Sequence, residues 1–204
     1  MKTLAMLLIA SSYCVCSFAQ DEEMERENGF KKENMFVGGN LQLQFSNINT
    51  TLGVSPYVGY SLTNWFDLAA SLNFSYTSQR DTYVPGDKIR QTMYGPGAFV
   101  RVFPFNFIFA QAHFEQNYIK LKYVQAENSS YTLEDQSLNA QSFLVGGGYA
   151  GGRTKESGSF YYFSVLWDVG GNKYSPYVDY LGRSVPIFRA GYNIALFQGG
   201  RNKD

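Results

Sequence analysis

The sequence predicts an all-β chain: an eight-stranded antiparallel up-and-down transmembrane β-barrel behind a cleaved signal peptide. Three observations predict it. Segments of about ten residues alternate apolar and polar side chains, the period of two that marks a strand with unlike faces. Tight and long connections alternate between these segments, as in a barrel with short turns at one rim and long loops at the other. The chain is 17% aromatic, with 16 Tyr and 17 Phe, yet its mean hydropathy is only -0.24, as when a polar lumen offsets an apolar belt.

The first segment, MKTLAMLLIASSYCVCSFAQ, places a basic Lys2 before an apolar run from Leu4 to Ala10 and a small-x-small site at Ser17, Phe18, Ala19. That is the composition of a signal peptide, residues 1–19, and the run is far shorter than the roughly 20 apolar residues of a spanning helix. Cleavage removes Cys14 and Cys16, the only two cysteines, so the exported chain carries no disulfide. A lipoprotein alternative would keep Cys16 as the acylated first residue, although Val15 before it is larger than the usual small residue. Residues 20–34, QDEEMERENGFKKEN, are charged and aperiodic and read as a flexible lead-in. With 17 Lys and Arg against 17 Asp and Glu and no basic block, nucleic acid is not an expected partner.

The barrel is expected over residues 35–198, with a short tail at 199–204. Strand one, about 36–45, sends Val37, Leu41 and Leu43 one way and Asn40 and Gln42 the other. In strand two, 52–62, Leu52, Val54, Val58 and Tyr60 oppose Ser55, Tyr57 and Ser61; Pro56 interrupts it and predicts a bulge or a missing hydrogen bond. After the turn 63–65, strand three alternates Phe66, Leu68, Leu72 and Phe74 with Asp67, Ser71, Asn73 and Ser75. Strand four, about 91–103, points Met93, Phe99 and Arg101 inward. After the turn 104–106, strand five directs Phe109, Gln111, His113, Glu115 and Asn117 inward.

Beyond Tyr118 the parity sends Lys120 and Lys122 outward. A cation costs roughly 2–4 kcal/mol at the bilayer midplane and almost nothing at its edge, so these lysines are expected above the membrane. Strand six, about 139–150, is glycine-rich and its faces are not assignable. In strand seven, 160–169, Tyr161, Phe163, Val165 and Trp167 face out and Tyr162, Ser164 and Asp168 in. Strand eight lies in SVPIFRAGYNIALF, where Phe188, Tyr192, Ile194 and Leu196 oppose Arg189, Gly191 and Asn193. The long connections 78–90, 124–137 and 170–185 are expected to be extracellular, the first with a turn at Val84, Pro85, Gly86, Asp87. The connection 151–159 is long for the short-turn side.

Three segments, YVGYSLTNWFDLAASLNFSY, YGPGAFVRVFPFNFIFA and SPYVDYLGRSVPIFRAGYNIALF, resemble the outer-membrane β-barrel domain family of Gram-negative bacteria, the small porin-like barrels of OmpA and OmpX type. The resemblance covers about 36–197. It implies an outer-membrane location, lipid and lipopolysaccharide as surroundings, and the barrel assembly machinery as a partner during biogenesis. Arg189, Gly191, Ile194 and Leu196 match that family's assembly signal, although the family often ends on an aromatic and here Phe197 is followed by QGGRNKD.

By parity Asp67, Arg101, His113, Glu115, Asp168 and Arg189 form a lumen charge network. Asp67 is expected to meet Arg101 near the periplasmic end, and Asp168 could pair with Arg189 near the outer end. Such a network is either a conduit or gate, or a packed ion-pair filling, since eight strands enclose a lumen just wide enough for side chains. His113 and Glu115 share a face and could be an acid-base pair, but such a pair more often belongs to lumen packing, and the chain is not expected to be an enzyme. Gly146, Gly148 and Gly151 match a dinucleotide pattern in spacing alone, without the helix it needs. No His or Cys cluster suits a metal, no cofactor is expected, and Asp87, Glu127, Glu134 and Asp135 could at most hold calcium weakly.

Three functions of different class follow. A non-enzymatic surface barrel would present its loops, with Tyr83, Tyr131, Tyr174, Tyr177 and Tyr180, to an extracellular ligand or for envelope integrity. A narrow porin-like passage would admit small solutes. A soluble periplasmic β-sandwich would turn the apolar face into a core.

Overall fold

The computed structural model describes residues 30–45, 49–80, 88–124, 134–154, 158–179 and 181–197. The expected signal peptide, the turn at 84–87, the tail 199–204, and Tyr83, Asp87, Glu127, Tyr131 and Tyr180 lie outside them. After a 3-10 turn, Lys32–Asn34, come eight strands: β1 Met35–Phe45, β2 Asn49–Thr63, β3 Phe66–Arg80, β4 Lys88–Phe105, β5 Ile108–Val124, β6 Gln136–Gly151, β7 Phe160–Asp168 and β8 Ile187–Ala195. Each pairs antiparallel with its sequence neighbour, and β8 pairs with β1 to close the barrel. Closure leaves no sheet edge, which is how a β-structure satisfies its backbone in a medium without water.

Alternation orders the side chains as the sequence anticipates. Leu41, Leu52, Val54, Leu72, Phe74, Phe163, Phe188 and Ile194 are exposed on the outer face, while Asn40, Gln42, Ser55, Ser71, Asn73 and Asn117 are buried within. An outer surface that is apolar on every strand, wrapped around an interior that buries a polar belt, is unlike a water-soluble sandwich, whose outer faces are polar. Outward aromatics fall in two girdles: Trp65, Phe105, Phe107, Tyr149, Tyr161 and Tyr192 at the turn end, and Tyr76, Tyr94, Tyr118 and Trp167 towards the loop end. Between them, a strand rising about 3.3 Å per residue and tilted roughly 40° covers about 25 Å from Phe66 to Tyr76, the height of a membrane barrel's apolar band.

β6 resolves the strand whose faces the sequence left open: Ala140, Ser142 and Leu144 point in, and Phe143, Val145 and Tyr149 out. Its glycines have a packing reason, because a Cβ on Gly146 or Gly148 would strike the carbonyl of Val165 or Phe163 on β7. No dinucleotide site is needed to explain them. At Pro56 the ladder to β3 lacks the rungs of Ser55 and Pro56, but the register on either side is unchanged; the irregularity lies instead between Ser61 and Thr63. Proline removes a donor without inserting a residue, so it interrupts pairing without shifting it. The strands also run further than the alternation indicates. β4 begins at Lys88 and β5 reaches Val124, so Lys88 and Arg90, expected in the loop 78–90, lie in a strand.

Candidate functional site: the packed lumen

The lumen is filled in layers. At the turn end Phe36, Tyr57, Phe99, Phe103, Phe109, Phe160 and Tyr162 form an aromatic cluster. Near the loop end Met93, Ile119, Leu144, Leu166, Tyr177 and Ile187 form an aliphatic one. Between them lies a belt of buried charge.

The centre of the belt is an ion pair. Arg189 on β8 donates from Nη2 to Glu115 Oε1 on β5 at 2.8 Å, across the barrel from its own strand's neighbours. Its Nη1 lies 2.9 Å from His113 Nδ1. A guanidinium can only donate, so Nδ1 accepts and the ring proton sits on Nε2, 3.1 Å from Ser71 Oγ. Glu115 Oε2 accepts from the hydroxyl of Tyr177 at 2.7 Å. Both nitrogens of His113 are thus engaged in packing, and His113 and Glu115 are 1% and 0% exposed in their side chains, which is the arrangement of structural groups rather than of an acid-base pair open to substrate.

The two ion pairs expected from strand position are not formed. Asp67 and Arg101 are cross-strand partners, but Arg101 turns into the aromatic cluster. Its guanidinium stands 4.2 Å from the Tyr162 ring centroid and 4.5 Å from that of Phe99, and its Nε donates to Gln111 at 2.9 Å. Four aromatic faces around one cation offer it more than a single carboxylate at the rim. Asp67 instead accepts from Ser61 Oγ at 2.7 Å and faces Arg153 at 3.9 Å. Likewise Asp168 turns away from Arg189. It accepts from the backbone of Phe143 and Gly170 at 3.1 and 2.9 Å and from Ser175 Oγ, because its place at the end of β7 brings loop donors closer than the belt.

Arg153 is the residue that alternation does not reveal. It lies in the connection after β6, donates to the Asn64 carbonyl at 2.9 Å, and lays its guanidinium 3.7 Å from the Phe103 ring centroid, closing the turn end. It falls in the 151–159 connection, where no strand alternation assigns a side chain a face. Arg153→Ala should cost about 1–3 kcal/mol by leaving Asp67 under-partnered, measured as a lower urea midpoint of the barrel folded in vesicles.

The β7–β8 connection closes the other end. Ser175 and Tyr177 are 5% and 4% exposed; Ser175 reaches Ser142 Oγ at 2.9 Å, and Tyr177 latches onto Glu115. Tyr177 is therefore part of the lumen, unlike the displayed residue its loop position suggested, whereas Tyr174 is 57% exposed. Beyond the latch the chain doubles back. Val178 pairs with Ser184, Gly182 takes a φ of 75° at the tip, and Asp179 Oδ1 accepts from the amides of Leu181 and Arg183, both at 2.9 Å. The Arg183 amide and these other donors hold the Asp179 carboxyl below the usual carboxylate range. A carboxyl lowered in the folded state stabilises above its ordinary pKa and is lost as pH falls through the folded one, so this hairpin should persist at neutral pH and loosen only below about pH 4. Exchange of the Leu181 and Arg183 amides measured against pH would show it.

No family model matches this chain, and no curated protein does. Among solved structures, the attachment invasion locus protein Ail of Yersinia pestis in complex with the heparin analogue sucrose octasulfate aligns at 10% identity, covering 78% of this chain and 93% of that one, with a TM-score of 0.44. The N-terminal β-barrel domain of Pseudomonas aeruginosa OprF aligns at 13%, covering 79% and 95%, with a TM-score of 0.41. Ail in a phospholipid bilayer nanodisc aligns at 10%, covering 78% and 97%, with a TM-score of 0.40. These are likenesses of overall barrel form and say nothing of ligand or activity.

The residues that match the assembly signal in sequence all lie at the barrel seam. Arg189 is buried inward, Gly191 lies close to the Gly39 carbonyl of β1, and Ile194 is exposed outward. The Leu196 amide bonds Met35 at 2.8 Å. Of the candidate calcium ligands, Asp135 accepts from the Tyr123 amide at 3.2 Å and Glu134 is exposed.

Proposed function

We propose that this chain is a non-enzymatic integral outer-membrane barrel that acts through its loop end while its lumen stays sealed. The observation that carries this reading is the Tyr177 latch over the Glu115–Arg189 pair. It places a charged belt between two apolar clusters and folds the longest described loop inward as a plug. A rigid, closed scaffold then presents Tyr174, Leu181 and Arg183 at the mouth, exposed and held by the Asp179 hairpin, for an extracellular ligand or for envelope integrity. Arg189, Gly191, Ile194 and Leu196 fit a role in delivery to the barrel assembly machinery, since they sit where the last strand must close on the first.

Liposomes carrying the folded protein should swell in small sugars or amino acids no faster than empty liposomes; clear uptake would overturn the sealed lumen. Fractionation tests the location: outer-membrane partition with heat-modifiable gel mobility supports the barrel, and recovery in the soluble periplasm refutes it.

One observation favours the narrow passage as a second reading. Asn40 Oδ1, Asn73 Nδ2, Asn117 Oδ1 and Ser164 Oγ are buried along the belt without protein partners, and a file of waters would satisfy them. The same swelling assay on Tyr177→Phe separates the two: a passage gated by the loop gains uptake when the latch is lost.

A further inference from the structure

The outer surface carries a second polar feature that the lumen does not explain. Lys88 and Arg90 on β4 and Lys120 and Lys122 on β5 are exposed and share the outward parity. Arg90 stands directly opposite Lys122, and Thr92 opposite Lys120. Like charges in facing positions on adjacent strands destabilise a sheet, and among the described residues none of the four is ion-paired. The cluster begins one row beyond the loop-end girdle: Tyr94 and Tyr118 are cross-strand partners with ring centroids 5.8 Å apart, and Lys120 Nζ lies 5.7 Å from the Tyr94 ring. Aromatic girdles mark the membrane interface, so these cations stand at headgroup depth on the lipid side of the wall.

Next to them is a groove of about 420 Å³, lined on its outer side by Leu41, Leu52, Val54, Phe74, Tyr76 and Tyr94. Thr92 belongs to its wall and is the cross-strand partner of Lys120, so an apolar trough runs up to a cluster of exposed cations. A soluble polyanion would use the charge and leave the trough empty. A phosphorylated, acylated lipid uses both: its phosphates accept from long, flexible side chains that snorkel to the interface, and an acyl chain lies in the groove.

We propose that the outer face of β4 and β5 is a binding site for a phosphorylated membrane lipid, with Arg90, Lys120 and Lys122 holding the phosphates and the β1–β4 groove holding a chain. The site rests on the membrane-barrel reading above. The test uses the full chain folded into phosphatidylcholine vesicles with and without added lipid A, and reads the temperature at which heat-modifiable mobility is lost. For the wild type, lipid A should raise this temperature, and salt should reduce the gain, because phosphate contacts by cations near a surface are screened. The triple variant Arg90→Gln, Lys120→Gln, Lys122→Gln should be at least as stable as the wild type in phosphatidylcholine alone, since it loses the Arg90–Lys122 repulsion, and show little or no further gain with lipid A. Lys173→Gln, which removes an exposed cation elsewhere, should keep the full gain. An equal gain in the triple variant overturns the site. So does a gain of the same size from inorganic phosphate added to phosphatidylcholine vesicles, which would mark an ion site without a lipid. Recovery of the wild type in the soluble periplasm on fractionation would sink the membrane barrel and this site together, an outcome distinct from the two that overturn the site alone.

Discussion

Replacing Glu115 by alanine is expected to destabilise the folded barrel by about 3–5 kcal/mol, the cost of leaving a buried cation without its partner. Glu115 receives Arg189 on one oxygen and Tyr177 on the other, at 2.8 and 2.7 Å, so the substitution strands a guanidinium and unlatches the loop at once. Glu115→Gln keeps the shape and an acceptor for Tyr177 and should fall between. The double variant Glu115→Ala, Arg189→Met removes both charges and should recover much of the loss, since a buried pair replaced by apolar groups is often close to neutral. Urea unfolding in vesicles measures the stabilities, and limited proteolysis of the β7–β8 loop reports the latch. If Glu115→Ala costs no more than a surface change, the belt is open to water and the passage reading gains.

Arg101 should behave in the opposite way. It has no carboxylate partner within ion-pair distance among the described residues, and its Nη1 is buried without a hydrogen bond. Its support is the ring of Tyr57, Phe99, Phe109 and Tyr162 and one bond to Gln111. Arg101→Ala empties a large volume in a packed aromatic cluster and should cost about 3–5 kcal/mol. Arg101→Met fills most of that volume without the desolvated charge and should lie within about 1 kcal/mol of the wild type, or above it. A loss for Arg101→Met as large as for alanine would show that the cation–aromatic contacts outweigh the cost of burying the charge. In both variants Asp67 keeps its direct partners, Ser61 and Arg153.

The strands were legible because a barrel wall writes itself locally. Each position faces lipid or lumen, and parity carries that choice from residue to residue, so Phe66–Tyr76 and Ile187–Ile194 could be read without any knowledge of their neighbours. β6 was not legible, since glycine has no side chain to declare a face and its reason for being there is the approach of the β7 backbone. Beyond the girdle the alternation of β4 and β5 continues but inverts, with Lys88, Arg90, Lys120 and Lys122 outward and Ile89, Ile119 and Leu121 on the inward parity, so an apolar exterior no longer marks the strands although pairing continues.

Partners were a different matter. Sequence position made Asp67 and Arg101 neighbours, and the structure confirms the register, yet the charges part because a long side chain has several directions to choose from. Arg101 has four rings within reach and Asp67 has an arginine arriving from a turn far along the chain. Tyr177 and Arg153 come from connections, where no periodicity constrains a side chain, and each crosses to a site fixed only once the barrel has closed.

The sequence by itself determined the strand number, the closing order, the inward placement of Asp67, Arg101, His113, Glu115, Asp168 and Arg189 and the apolar exterior, because these follow from short-range alternation against two media. Only the tertiary structure decided which charges pair, that the last loop plugs the mouth, and that four outward cations meet beside a groove. Those depend on distances across the lumen and between adjacent strands, and one-dimensional parity carries no information about either.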